Sequence, residues 1–214
     1  MENDTVFEKT RVRILATARQ AFISNGYRHV TTSAIAAAAG ISKKTLYHHF
    51  SSKQALLAGV MRYFRQEASR YVDNLLADGR LNAIDKIRAI LSYLGRLLAQ
   101  VNGPLLADLP RFAPGVWREM QAFRKHKIET GLEHLFHQGV AQGLLREDVP
   151  LDILLAMYLH AIQGMINGRF LGQVPYTADK VLQHIVAVFI QGVGTAKGRQ
   201  LFAEQPILKE EQPS

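Results

Sequence analysis

Residues 31–53 read TTSAIAAAAGISKKTLYHHFSSK, and this stretch decides the fold. It divides into two short helices around a single glycine, followed by the start of a third. Thr32 or Ser33 is placed to N-cap the first helix, because a side-chain oxygen there accepts from amides the first turn leaves open. Ile35, Ala36, Ala38 and Ala39 give a small apolar surface that lets another helix come close. Gly40 stands where a helix closes in the left-handed conformation that glycine adopts at least cost. Ile41 is an apolar plug, and Ser42 can cap the following KKTLYHHF segment. Two capped helices joined by a tight turn have the layout of a helix-turn-helix, whose second helix lies in the DNA major groove.

The charge pattern agrees. The 214-residue chain carries 26 Lys and Arg against 18 Asp and Glu, a formal net charge of +8. Up to Lys53 there are eight basic residues against three acidic ones, so +5 of the +8 sits in the first quarter of the chain. A basic balance suits a polyanionic partner, and its concentration around the two-helix motif implicates double-stranded DNA.

The motif is specific enough to carry a resemblance. Gly26-Tyr27, Thr31-Thr32, AIAAAAGISKKTLYHHF and SSKQALL together resemble the N-terminal domain of the TetR family of bacterial transcriptional regulators (AcrR-like). The likeness spans roughly residues 8 to 60, with several fixed spacings coinciding. It implies a sequence-specific regulator, a repressor released from its operator by a small apolar or aromatic effector. It further implies a homodimer on a pseudo-palindromic operator.

Lys43, Lys44 and Thr45 are the first side chains of the second motif helix, which faces the base edges. A lysine can donate to guanine O6 and N7, and the threonine methyl can meet a thymine methyl. Leu46 is expected to turn inward beneath Ile35. Thr32 and Ser33 are candidate phosphate contacts, with hydroxyls and open amides at a positive helix end. By similarity to the family, Tyr47 and His48 face the backbone or a base, and Lys53 matches a phosphate-binding lysine. Tyr47 is also readable as a core aromatic with a wet hydroxyl. Family members often carry glycine where Lys44 stands, so the operator sequence does not transfer from them.

The rest of the chain reads as helices, giving an all-α protein of about nine. The first is expected over 8–24, with Val12, Leu15, Ala16, Ala18, Phe22 and Ile23 on its apolar side and Asn25-Gly26 at its end. A long helix from Lys53 stops at Asp78-Gly79. Others follow over about 82–101, a short PLLADL piece framed by Gly103-Pro104 and Pro110, and 115–142 closed by Gly143. The last two run from Pro150 to about Phe170 and from a Thr177 cap to about Thr195. The expected domains are 1–52 for DNA binding and 53–203 for effector binding and dimerisation, with a disordered tail over 204–214.

The segments LDILLAMYLHAIQGMINGRF and ADKVLQHIVAVFIQGVGT are apolar around most of their circumference, so each is buried on more than one side. Ala161, Gly164 and Gly168 form a small-residue strip, joined by Val188, that suits a two-fold four-helix interface. The alternative is the core of a monomer. Such an interface would set two recognition helices about 34–36 Å apart. Tyr93, Leu97, Trp117, Met120, Phe123, Met157 and Tyr158 are the candidate effector-pocket residues, each also readable as ordinary core.

Other chemistries find little support. There is no cysteine, and hence no disulfide or thiolate metal site. His126, His134 and His137 lie along one helical segment without a third ligand at suitable spacing, so a solvated polar face suffices and no metal or cofactor is expected. The chain lacks G-x-S-x-G, H-E-x-x-H and a P-loop, and Gly192-Val193-Gly194 follows a helix rather than a strand, so no enzyme is expected. A nonspecific architectural DNA binder would fit the charge but not the capped motif or the large apolar half. The polar N-terminus is no signal peptide and no apolar run reaches membrane length, so a cytoplasmic protein is expected.

Overall fold

The computed structural model describes residues 2–99 and 103–204. Among the described residues it is all-α, with eleven helices and one isolated bridge, between Leu145 and Gly194. In order these are α1 (Glu2–His29), α2 (Thr32–Ala38), α3 (Lys43–His49), α4 (Lys53–Ala77), α5 (Ala83–Ala99), α6 (Gly103–Phe112), α7 (Pro114–Ala141), α8 (Leu151–Met165), α9 (Gly168–Leu171), α10 (Ala178–Val193) and α11 (Ala196–Ala203). The tail expected to be disordered lies, beyond Glu204, outside the described residues.

The chain forms two compact units. Met1–Glu67 with Val101–Gln121 make the first, and Ala68–Gln100 with Ala122–Ser214 the second. The boundary expected at residue 52 therefore falls inside the first unit. The reason is packing: Leu56, Leu57 and Val60 from the start of α4 enter its core, as do Leu105 and Leu109 from α6.

That core gathers Ile14, Leu15, Ala18 and Phe22 of α1 with Ile35 of α2 and Leu46 of α3. Ile35 and Leu46 are both fully buried, so Leu46 does turn inward. The apolar stripe of α1 is rotated from the expected one. Ile14 is buried, whereas Val12 and Ala16 are exposed. The helix is also longer than expected, starting at Glu2 and running to His29 across a kink. Gly26 sits there at φ 75°, ψ 169°, a conformation costly for any residue with a Cβ.

The second unit is centred on α5 packed along α10, with α8 and α11 beside them. Its core includes Ile84, Leu91, Phe136, Leu154, Ile162, Leu182, Ile185 and Ile190. Gly143, at φ 65°, closes α7 as expected. Beyond it the chain is stitched to the end of α10: Arg146 N–H donates to Val193 C=O at 2.8 Å, and Thr195 N–H to Leu144 C=O at 3.1 Å.

Helix ends account for the count of eleven against nine. The apolar run expected to reach Phe170 breaks after Met165, because the Asn167 side chain accepts from the amides of Arg169 and Phe170 and starts the one-turn α9. Thr195, expected as a helix end, instead caps α11 by accepting from Gly198 N–H at 3.1 Å. Thr177 holds the N-cap position of α10 without a side-chain hydrogen bond. Pro110 lies inside α6, in its last turn, rather than framing it, and so removes one i→i−4 amide bond there.

Candidate nucleic-acid interface

Helices α2 and α3 have seven residues each, shorter than a peptide helix can sustain alone, so caps and burial must hold them. The cap of α2 is Thr31, whose Oγ1 accepts from Ala34 N–H at 3.1 Å. This corrects the expected Thr32 or Ser33. With Thr31 in that place, Thr32 is the first helical residue and turns inward, and its hydroxyl meets the Tyr47 hydroxyl at 3.1 Å. Ser33 is exposed. Gly40 turns the chain at φ 63°. Ser42 then caps α3, accepting from Thr45 N–H at 3.0 Å, and its Oγ also lies 2.8 Å from Thr45 Oγ1.

Leu46 is the buried residue of α3. Everything else on that helix is turned at least partly outward. Lys43 and Lys44 are exposed. Lys43 Nζ sits 5.9 Å from the centroid of the Tyr47 ring, and Tyr47 is 42 % exposed, so it is not a core aromatic. His48 is exposed and stands edge-on to Phe7, with centroids 5.7 Å apart. His49 packs more closely on Phe7, at 4.0 Å, and its Nδ1 is shielded without a partner. Burial, then His48 and Arg11, holds the His49 imidazole below the ordinary histidine range, against an opposing pull from Glu8.

Lys53 is tethered at the start of α4 by two contacts within the first unit. Its ammonium donates to Arg28 C=O at 3.2 Å and lies 4.4 Å from the Tyr27 ring centroid. Burial lowers its pKa, and the nearby Asp108 carboxylate opposes that. Asp108 also accepts from Arg28 N–H at 2.8 Å. The role of Asp108 was not foreseen: nothing local marks an acid on α6 as the partner of a backbone amide eighty residues earlier.

The expected pocket residues divide between the two units. Trp117 and Met120 pack against the core of the first unit. Tyr93, Leu97, Phe123, Met157 and Tyr158 belong to the second. There Tyr93 stacks on Tyr71 at 4.0 Å, Tyr158 stands edge-on to Phe189 at 5.2 Å, and Met157 is 59 % exposed. The small-residue strip is shorter than expected. Ala161 packs on the second core and Gly168 starts α9 beyond the break, while Gly164 and Val188 are exposed, Val188 at 71 %. His126, His134 and His137 are exposed on α7. Among the described residues no three His, Asp or Glu side chains gather as a metal site, and no helix is long and apolar enough to cross a membrane.

This arrangement has close parallels. Residues 14–60 match the family described as bacterial regulatory proteins, tetR family. The chain is 28 % identical over 181 residues to the HTH-type transcriptional regulator YvaF of Bacillus subtilis, covering 85 % of this chain and 94 % of that protein. It is 26 % identical over 193 residues to the HTH-type transcriptional repressor KstR2 of Mycobacterium tuberculosis, covering 86 % and 92 %. A TetR-family regulator from Agrobacterium tumefaciens shares the fold at a TM-score of 0.67 and 20 % identity, over 88 % of this chain and all of that one. With its positive charge gathered at a capped helix-turn-helix that matches the tetR family over residues 14–60, this chain is a DNA-binding transcriptional regulator.

Proposed function

We propose that the protein represses transcription as a homodimer on a pseudo-palindromic operator and is released by a small-molecule effector. The observation that carries the DNA reading is the division of labour on α3. Leu46 is fully buried, while Lys43, Lys44, Tyr47 and His48 are exposed. A helix pinned by one inward leucine offers its opposite face to a groove. Lys43 and Lys44 read base edges, and Thr45, with its hydroxyl engaged by Ser42, offers its methyl to thymine. Tyr47, His48, the exposed Ser33 hydroxyl and the open amides of the first turn of α2, Thr32 among them, position the backbone phosphates. Lys53 adds a phosphate contact from α4.

Dimerisation uses the outward sides of α8 and α10. Ile153, Met157 and Val188 are large apolar side chains exposed there, and Gly164 has open space where a Cβ would stand. An exposed apolar surface on a helix pair favours a two-fold partner. A small molecule bound in the helical second unit weakens operator binding to the extent that it prefers the DNA-incompetent conformation.

Selection of bound genomic fragments tests the reading. The expected result is a two-fold consensus, with Lys44→Ala relaxing preference at one position of each half-site. Enrichment of no symmetric sequence would refute it and favour a nonspecific binder.

A further inference from the structure

Phe7, Arg11, Leu15, Ala18 and Phe22 fall at i, i+4, i+8, i+11 and i+15 and so run along one side of α1. The last three enter the core of the first unit. The first two lie ahead of that core and close instead on the far end of α3. Arg11 places its guanidinium carbon 5.4 Å from the Phe50 ring centroid. Phe7 lies on His49, with centroids 4.0 Å apart and planes 30° from parallel, and meets the His48 ring edge-on at 5.7 Å. Phe7 is itself 38 % exposed, so this is a clasp at the surface rather than core packing.

The rest of α3 is secured from beneath and at its ends. Ser42 caps its start, Leu46 is buried under its middle, and the Phe50 amide closes the last turn on Leu46 C=O at 3.0 Å. Phe50 is seated against Gly59, where a Cβ would come within 2.7 Å of its ring. The outward side of the last turn carries His48, which is exposed. Phe7 and, at 5.9 Å, the neighbouring His49 stand edge-on to its ring. A free side chain samples several rotamers, and ordering it on binding costs affinity, so a ring that limits those rotamers beforehand favours binding. We propose that Phe7 is a positioning residue for operator recognition, holding the His48 imidazole in the direction in which it meets the duplex. This rests on the reading of His48 as a DNA contact, and it extends the recognition machinery to the start of α1, outside the two motif helices.

The test follows the fluorescence anisotropy of labelled DNA with the full-length protein, using the duplex most enriched by genomic selection and a scrambled duplex of equal length. An aromatic contact of this kind corresponds to about fivefold in affinity, so Phe7→Ala should weaken binding of the selected duplex by about that factor and leave the scrambled one within about twofold. Phe7→Tyr should restore wild-type binding, whereas Phe7→Leu, which keeps apolar bulk without a ring, should not. In the His48→Ala background, Phe7→Ala should add less than about twofold, because its effect passes through the imidazole already removed. The NMR titration of His49 supplies a readout independent of DNA. Burial is the first cause that holds this imidazole low, ahead of His48 and Arg11 and against Glu8, so Phe7→Ala should move its titration to higher pH. The proposal is overturned if Phe7→Ala binds the selected duplex like wild type, weakens both duplexes alike or multiplies with His48→Ala, or if the His49 titration stays in place. Should His48→Ala itself bind as wild type, the reading of His48 as a DNA contact fails too; where His48→Ala weakens binding and Phe7→Ala does not, the positioning role alone fails.

Discussion

Replacing Leu46 with alanine probes the assumption that one buried side chain holds the reading helix in place. The leucine is fully buried among Ile35, Leu56 and Leu57, all equally inaccessible, so no surface rearrangement can fill the space it leaves. Losing three carbons at about 0.8 kcal/mol each forfeits about 2.4 kcal/mol of transfer free energy, and the residual cavity raises the cost to about 3–4 kcal/mol. That is a large share of the roughly 5–15 kcal/mol that stabilises a domain. Urea unfolding followed by the fluorescence of Trp117, the one tryptophan and part of the first unit, would read this as a lower midpoint at unchanged slope. Operator affinity, measured where the variant remains folded, should fall as well, because a seven-residue helix without its anchor does not keep its orientation. A loss below about 1 kcal/mol, or operator affinity equal to wild type, would refute the reasoning.

Three further expectations follow from the same geometry. Lys53→Met removes both the bond to Arg28 C=O and the contact with Tyr27, so it should lower unfolding stability by about 1–2 kcal/mol and flatten the salt dependence of operator binding by about one unit of slope; unchanged binding would make the residue purely structural. His49 has a folded-state pKa depressed below the unfolded value of 6.5, so its contribution is present above about pH 6.5 and is lost as pH falls through the folded pKa. Urea midpoints at pH 7.5 and 5.5 should therefore differ less for His49→Phe than for wild type, and equal differences would remove His49 as the cause. Val188→Asp should place like charges across a two-fold α8–α10 interface and yield a monomer by light scattering; a persistent dimer would put the interface elsewhere.

What could be read from residue order was what residue order encodes locally. Gly40, Ser42 and Leu46 each act through neighbours a few positions away, so the turn, the cap and the inward face of α3 were legible. The three hydroxyls of Thr31, Thr32 and Ser33 were locally equivalent as caps. The choice of Thr31 is settled by Tyr47, which engages the Thr32 hydroxyl from the next helix. On α1 the apolar residues support two phases of the helical period, and only the packing of α2 and α6 selects Ile14 over Val12. Asn167 was hidden because the apolar pattern continues past it, although its side chain ends one helix and starts another. The candidate pocket residues share a chemistry but not a core, and apolar character alone does not say which core a residue joins.

Lys44 stands in water at the tip of α3, while the turn, the cap and the leucine beneath it carry all the structural work. Exchange at that position is therefore expected to leave folding untouched and, on the proposed reading of α3, to alter only the sequence being read. A gene duplicate could drift to a new promoter by this one residue without passing through an unstable intermediate. The grammar of the head is locked, and its vocabulary is free to change.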